Sequence, residues 1–275
     1  MEHIRQAVEL AKASGFTPAA PQNRMNSSTL PQQSGFSGSP NGLPFSIKEI
    51  HLNKEHLEKF RLIAYNNADS RSNSFDMLRT QVVQAMDQRN WQFLAVTSPT
   101  AGCGKTVTAI NLALSIARQP ERSVLLVDMD LQRPQVATSL GLKCRDGLLS
   151  LLDGRAGLAD VLVQARIDNS GLIVLPAEAP MLGSSELMAS RAMSTLLQAI
   201  KRDFKSRIVI LDMPPMLTSD DVITILPQID CVVLVAAAGT STVSEIKDCS
   251  KHLQTAEVVR VVLNKAPETA IGYGY

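Results

Sequence analysis

The sequence predicts an α/β fold, a mostly parallel sheet flanked by helices on both faces, and three observations carry that reading. From Trp91 to the end, short apolar runs alternate with stretches of helical spacing. The apolar runs are continuous, as in strands buried on both faces. A glycine-rich loop, Ala101-Gly102-Cys103-Gly104-Lys105-Thr106, stands where the first of these strands gives way to a helix, which is the context a phosphate-binding loop requires.

Taken in order, residues 1–13 place Ile4, Val8 and Ala11 on one face of a short amphipathic helix, and a helix of that length is marginal in water by itself. Residues 14–46, rich in Pro, Ser, Asn, Gln and Gly, read as a disordered linker. Residues 47–90 read as an N-terminal extension with a helix packed on the core. Ile47, Ile50 and Leu52 suit a short strand, and Leu57, Phe60, Leu62 and Ile63 a short helix. Phe75, Leu78, Val82, Val83 and Met86 then recur at helical spacing, with Ser74 as the expected N-cap. His51 and His56 have no acidic or Cys companion at ligand spacing and are expected to be solvated or packed.

Residues 91–266 read as the main domain. Strands are expected at 91–97, 123–128, 171–175, 207–212, 231–236 and 258–263. Helices are expected at 105–118, near 147–153, at 157–164, at 184–204 with a break near Ser190, at 220–226 and at 241–255. No internal repeat occurs. Residues 267–275 read as a flexible tail holding Tyr273 and Tyr275, two of the chain's three tyrosines.

Composition narrows the function classes. With 275 residues, 45% apolar, the chain can bury one large core plus extras, or two small ones. Its 27 basic and 26 acidic residues leave a net charge of +1, so nucleic acid is not an expected partner, although Lys201-Arg202 is a local basic pair. Cys103, Cys144, Cys231 and Cys249 show no CxxC pairing and read as the reduced thiols of a cytoplasmic protein. No apolar run reaches the length of a membrane span, and the N-terminus, with Glu2 and Glu9 in its apolar pattern, does not read as a signal peptide. Membrane contact is therefore expected only through a partner or at the periphery.

The loop carries the chemistry. Successive N–H groups of Ala101, Gly102, Cys103, Gly104, Lys105 and Thr106 make an anion nest, and the helix N-terminus adds partial positive charge. Lys105 can reach the β and γ phosphates and Thr106 can ligate Mg²⁺. Pro99 stands where GxxxxGK(S/T) begins with Gly, so the match is incomplete. Asp128 and Asp130 end one apolar strand and Asp212, before Pro214-Pro215, ends another. Ligands of open α/β sheets bind beyond the carboxyl ends of the strands, so these three carboxylates are expected to converge on the loop, where Mg²⁺ accepts such oxygens. A lone Asp after a strand is ordinarily a turn or cap. Three of them behind a phosphate loop are not accounted for in that way.

The runs SPTAGCGKTVTAINLALSIAR, VLLVDMDLQRP with GLLSLL following, SSELMAS, IVILDMPPMLTSD and VVLNKA resemble the bacterial tyrosine autokinases of capsule and exopolysaccharide synthesis, most strongly the exosortase-associated, PEP-CTERM-type branch. The likeness covers roughly residues 70–275, and these kinases are similar in fold to the MinD/ParA P-loop ATPases. The resemblance implies ATP and Mg²⁺, with Lys105, Asp128 and Asp130 catalytic. One of the two aspartates would help hold the metal and accept the proton of an attacking hydroxyl. Thr106, Asp128 and Asp212 would serve the metal, Asp212 as the second Walker carboxylate, and Asn264 would meet adenine unless it simply forms a turn.

By the same resemblance, Tyr273 and Tyr275 are the autophosphorylated cluster, reached by a neighbouring subunit through self-association on the nucleotide face. The partner implied is a membrane-embedded polysaccharide co-polymerase of the Wzz type, which would hold this cytoplasmic chain at the inner membrane. Two departures from the family pattern stand out: Asn73 and Asp76 stand in an ExxRxxR oligomerisation motif of which only Arg79 survives, and Gln132 replaces the Arg of DxDxR; Thr100, where MinD and ParA carry an extra lysine, favours the kinase branch. Two alternatives follow: a MinD/ParA-like ATPase switch without kinase activity, and a nucleotide-binding scaffold of the assembly complex.

Overall fold

A computed structural model describes residues 46–181, 183–204 and 207–267. The helix expected over 1–13, nearly all of the linker over 14–46, and the tail beyond residue 267 with Tyr273 and Tyr275 lie outside the described residues.

Eight strands form one sheet in the order β1-β4-β5-β3-β6-β2-β7-β8. They are β1 (Lys48–His51), β2 (Phe93–Thr97), β3 (Ser123–Asp128), β4 (Val163–Ile167), β5 (Ser170–Leu175), β6 (Arg207–Asp212), β7 (Cys231–Ala237) and β8 (Glu257–Asn264). The central runs FLAVT, RIVILD and CVVLVAA are buried at every residue, which explains their continuous apolar character. Every neighbouring pair is parallel except β4 with β5. Register then fixes the site: Asp128 of β3 and Val96 of β2 both stand level with Asp212 of β6.

Helix α1 (Lys54–Lys59) starts where Asn53 accepts from the His56 N–H at 3.0 Å. It begins earlier and ends sooner than the apolar residues 57–63 imply, because the segment beyond it is held by another device. Buried Asn111 of α3 (Lys105–Ala117) accepts from the N–H groups of Ile63 and Ala64 at 2.8 and 3.0 Å, and donates to the carbonyl of Arg61 at 3.0 Å. The long helix α2 (Asn73–Arg89) buries Leu78, Val82, Val83 and Met86. Ser74 is not its N-cap; a 3₁₀ turn over Ser70–Ser72, capped by Asp69, leads straight into the helix at Asn73.

Asp76 fastens α2 to α3. Its carboxylate accepts from Ser115 Oγ at 2.6 Å, from Arg118 at 2.8 and 2.9 Å and from Arg79 at 3.3 Å. Burial works against its charge, but the Ser115 hydroxyl and the Arg118 guanidinium hold the carboxyl below its usual range. The acid that departs from the family's motif is thus engaged within its own subunit.

Beyond β3 the chain makes α4 (Val136–Leu140), α5 (Leu148–Leu152) and α6 (Leu158–Val161). The helix expected over 157–164 is only the single turn α6, and residues 163–167 are strand β4. Sheet pairing overrides the local helical spacing there, since β4 bonds antiparallel to β5 on one side and parallel to β1 on the other. The helical region 184–204 is two pieces, α7 (Ser184–Met188) and α8 (Arg191–Asp203), with Ser190 Oγ accepting from the Met193 N–H at 3.1 Å. Helices α9 (Asp221–Ile225) and α10 (Val243–His252) complete the layers, and Thr242 with Glu245 closes a capping box on α10. None of the described helices is long and apolar enough to cross a membrane.

Candidate active site

The loop between β2 and α3 is braced from two sides. Thr97 Oγ1 donates to the Pro214 carbonyl at 2.7 Å, while the N–H groups of Met216 and Leu217 donate to Ser98 and Pro99 carbonyls at 2.8 and 3.1 Å. The segment after Asp212 is thereby fixed against the start of the loop. From the other side, Asn264 Nδ2 donates to the Cys103 carbonyl at 2.9 Å. Gly102 and Gly104 have φ of +80° and +92°, the left-handed region that glycine enters without strain. A Cβ on Gly104 would also lie 2.2 Å from Asn264 Nδ2, so a side chain there would push the Asn264 amide off the loop.

Lys105 opens α3 and points back at the carboxylates. Its Nζ lies 2.7 Å from Asp130 Oδ2, 3.7 Å from Asp212 Oδ1 and 3.3 Å from Thr106 Oγ1. Burial opposes the ammonium charge, yet Asp212 and Asp130 outweigh it and hold Lys105 above its ordinary value. Asp128 is fully buried; its Oδ2 accepts from the Val136 N–H at 3.0 Å. Burial and then the neighbouring Asp212 push its carboxyl up to about 8. Asp212 is also fully buried and its pKa raised by burial, against the pull of Lys105.

Neither oxygen of Asp212 meets a hydrogen-bond donor at bonding geometry. A buried carboxylate left so is costly unless something else satisfies it. A divalent cation beside Thr106 Oγ1 would supply that partner, so the residues present fit Mg²⁺. Among the described residues no group of three His, Cys, Asp or Glu side chains could hold a metal alone.

The structure therefore brings Lys105, Thr106, Asp128, Asp130 and Asp212 together, with Ala101, Gly102, Cys103 and Gly104 forming the loop around them. Asn264 touches the loop from outside and its Oδ1 accepts from the Lys265 N–H at 2.8 Å, so it both shapes a turn and braces the loop. His56 lies apart from the site, with Nε2 donating to the Thr138 carbonyl at 2.9 Å, and His51 is 80% exposed.

One network at this site has no signal in the sequence. Gln132 Nε2 donates to Ser184 Oγ and Ser219 Oγ, both at 3.2 Å. Ser184 and Ser185 donate in turn to the buried carboxylate of Asp221 at 2.6 and 2.8 Å. The loop that carries Asp130 is thus tied to α7 and α9 by residues 36 to 87 positions apart, and no local spacing could reveal it.

Residues 91–263 match the AAA domain family. The putative tyrosine-protein kinase EpsB of Ralstonia nicotianae is 30% identical over 239 residues, covering 85% of this chain and 31% of the relative. The tyrosine-protein kinase CpsD of Streptococcus agalactiae is 28% identical over 203 residues, covering 73% of this chain and 86% of CpsD. Among solved structures, the kinase domain of the Escherichia coli tyrosine kinase ETK superposes with a TM-score of 0.65 at 27% identity, covering 84% of this chain and 95% of that one. The chain spans about a third of the length of relatives such as EpsB, against most of CpsD.

Proposed function

The chain belongs to the AAA domain family, and from that membership we propose that it is an MgATP-dependent protein-tyrosine autokinase acting in exopolysaccharide or capsule assembly. The observation that carries this reading is the meeting of Lys105 with Asp130 and Asp212 at the mouth of a phosphate loop. The names of the relatives support the reaction type.

In this reading the loop N–H groups and Lys105 hold the triphosphate and neutralise charge on the transferring group. Thr106 and Asp212, with Asp128 beside them, would hold Mg²⁺, which when bound would supply positive charge to offset that of the phosphates. A tyrosine hydroxyl attacks the γ-phosphorus, its O–P bond forms as the bond to the β–γ bridging oxygen breaks, and ADP departs. The phenolic proton passes to Asp128 or Asp130. The acceptors are Tyr273 and Tyr275 of a second copy, met across the nucleotide face. A membrane-embedded polysaccharide co-polymerase is the activator, and it places the chain in the cytoplasm at the inner membrane.

One observation favours the alternative of a regulatory ATPase switch. Asp76 is engaged by Arg118 and Ser115 of its own subunit and is not free for ion pairs with a neighbour. Mass-spectrometric mapping of phosphotyrosine after incubation with MgATP decides between the two. Phosphate on Tyr273 or Tyr275, absent in Lys105→Ala and in Tyr273→Phe/Tyr275→Phe, supports the kinase. ATP hydrolysis without phosphotyrosine, with a co-polymerase cytosolic segment present, supports the switch.

A further inference from the structure

Asp130 stands outside β3, in a turn over residues 130–133, and the turn aims its carboxylate. Asp130 Oδ2 meets Lys105 Nζ at 2.7 Å, while Oδ1 accepts from the Arg133 N–H at 3.1 Å. The Asp130 carbonyl accepts from that same N–H at 3.1 Å. Whatever fixes the turn therefore fixes the contact with Lys105. Two residues of the turn reach outside it. One is buried Leu131, whose carbonyl accepts from the Met181 N–H at 2.8 Å, and the other is Gln132.

The Gln132 amide is held with a fixed polarity. Buried Asp221 accepts from Ser184 Oγ at 2.6 Å through one oxygen and from Ser185 Oγ at 2.8 Å through the other. A hydroxyl has a single hydrogen, and that of Ser184 is directed at Asp221. Ser184 therefore meets Gln132 Nε2, at 3.2 Å, only as an acceptor. Ser219 Oγ accepts from the Asp221 N–H at 3.3 Å and from Gln132 Nε2 at 3.2 Å. Two acceptors thus face the two amide hydrogens, and a donor is what fits between them. Gln132 is nevertheless exposed, and surface hydrogen bonds do little more than offset the rotamer freedom they remove. Stability of the fold does not account for the arrangement, whereas the aim of Asp130 does.

We propose that Gln132 and Asp221 are positioning residues for phosphoryl transfer: Asp221 sets the Ser184 hydroxyl, the hydroxyl sets the Gln132 amide, and the amide pins the turn that aims Asp130 at Lys105. This rests on the phosphoryl-transfer reading above and adds to it the device that holds its carboxylate in place. It requires a hydrogen-bond donor at position 132, and it places the effect on the transfer step, because the loop N–H groups and Thr106 are not touched by the network.

The test is the initial rate of γ-phosphate transfer, to tyrosine or to water, by the full chain at saturating MgATP, with MgATP affinity measured by calorimetry beside it. Gln132→Met keeps an unbranched stem and offers no hydrogen, Gln132→Glu offers only acceptors, and Gln132→Lys offers only donors. Gln132→Met and Gln132→Glu are each expected to slow transfer about tenfold while affinity stays within about twofold, and Gln132→Lys to keep at least about half of the wild-type rate. Asp221→Asn should slow transfer as well, and combining it with Gln132→Met should add less than about twofold, since both act through one route. Thermal melts show whether Asp221→Asn is folded; if it is not, Ser184→Ala takes its place in the pair. Full-rate transfer in Gln132→Met, with loss only in Gln132→Glu, would leave a local charge effect and overturn the proposal. So would a Gln132→Lys as slow as Gln132→Met, losses that multiply in the double variant, or a loss of affinity as large as the loss of rate. A wild type that binds MgATP and transfers no phosphate would defeat the transfer reading and this proposal with it, whereas transfer indifferent to position 132 would defeat only the positioning role.

Discussion

Lys105 Nζ and Asp130 Oδ2 are 2.7 Å apart, with side chains only 11% and 6% exposed. An ion pair this enclosed is a poor source of net stability, but removing one partner leaves the other's charge buried and uncompensated, at ~3–5 kcal/mol. Asp212 at 3.7 Å adds a second carboxylate to the imbalance. Lys105→Met should therefore keep the fold but lose about 2–4 kcal/mol in urea denaturation, and lose phosphate transfer by more than about a hundredfold. A variant that still transfers phosphate at the wild-type rate would sink the proposed mechanism.

Asp212 gives the opposite balance. Its buried oxygens meet no donor at bonding geometry, and burial raises its pKa against the pull of Lys105 at 3.7 Å, so its charge is held at a cost to the fold. Asp212→Asn removes that charge at equal size. The expected result is a protein more stable by about 1–2 kcal/mol, in which Mg²⁺ no longer tightens nucleotide binding. Paired thermal melts and ATP titrations with and without Mg²⁺ check both halves, and a less stable variant would contradict the strained-carboxylate account.

Much of this site was legible because apolar runs end where the chemistry begins. Asp128 and Asp212 follow strands whose burial is continuous, so their position at the carboxyl edge needs only the α/β pattern and no knowledge of strand order. What escaped reading has short length or long range. Val136–Leu140 is a five-residue helix with no room for periodicity. Val163–Ile167 follows Leu158 and Val161 at helical spacing, and only its partner strands make it extended. The bond from Lys265 Nζ to the Gly102 carbonyl spans 163 positions, and the tie of Gln132 to Ser219 spans 87. Neither residue differs in type from those that line any solvated turn.

Asp76 joins α2 to the helix that carries Lys105, so its loss should be felt at the loop. Asp76→Ala leaves Arg79 and Arg118, at 16% and 15% side-chain exposure, without their carboxylate. A cost of about 2–3 kcal/mol is expected, somewhat below that of a fully enclosed pair. A double-mutant cycle with Arg118→Ala should return a coupling of about 1–2 kcal/mol. Because the native carboxyl lies below its unfolded value, this contribution is present above about pH 4 and is lost as pH falls through the lower native value. Zero coupling in the cycle would assign the effect to helix propensity instead.

Asp128 should reveal itself through pH with the reverse sign. Its carboxyl is raised from 3.8 to about 8 by burial and by Asp212, so between those values the native state holds a proton that the unfolded chain has released. Stability from this group is complete below about pH 4 and declines as pH rises toward 8. Asn at this position has no proton to lose. It keeps one oxygen for the Val136 N–H and gives up the weaker 3.3 Å contact from the Asp130 N–H. The melting temperature of Asp128→Asn relative to wild type should therefore climb between pH 5 and pH 8, whatever its offset at the acid end. A difference that stays flat across that interval would mean that Asp128 is ionised throughout and that burial does not hold its proton.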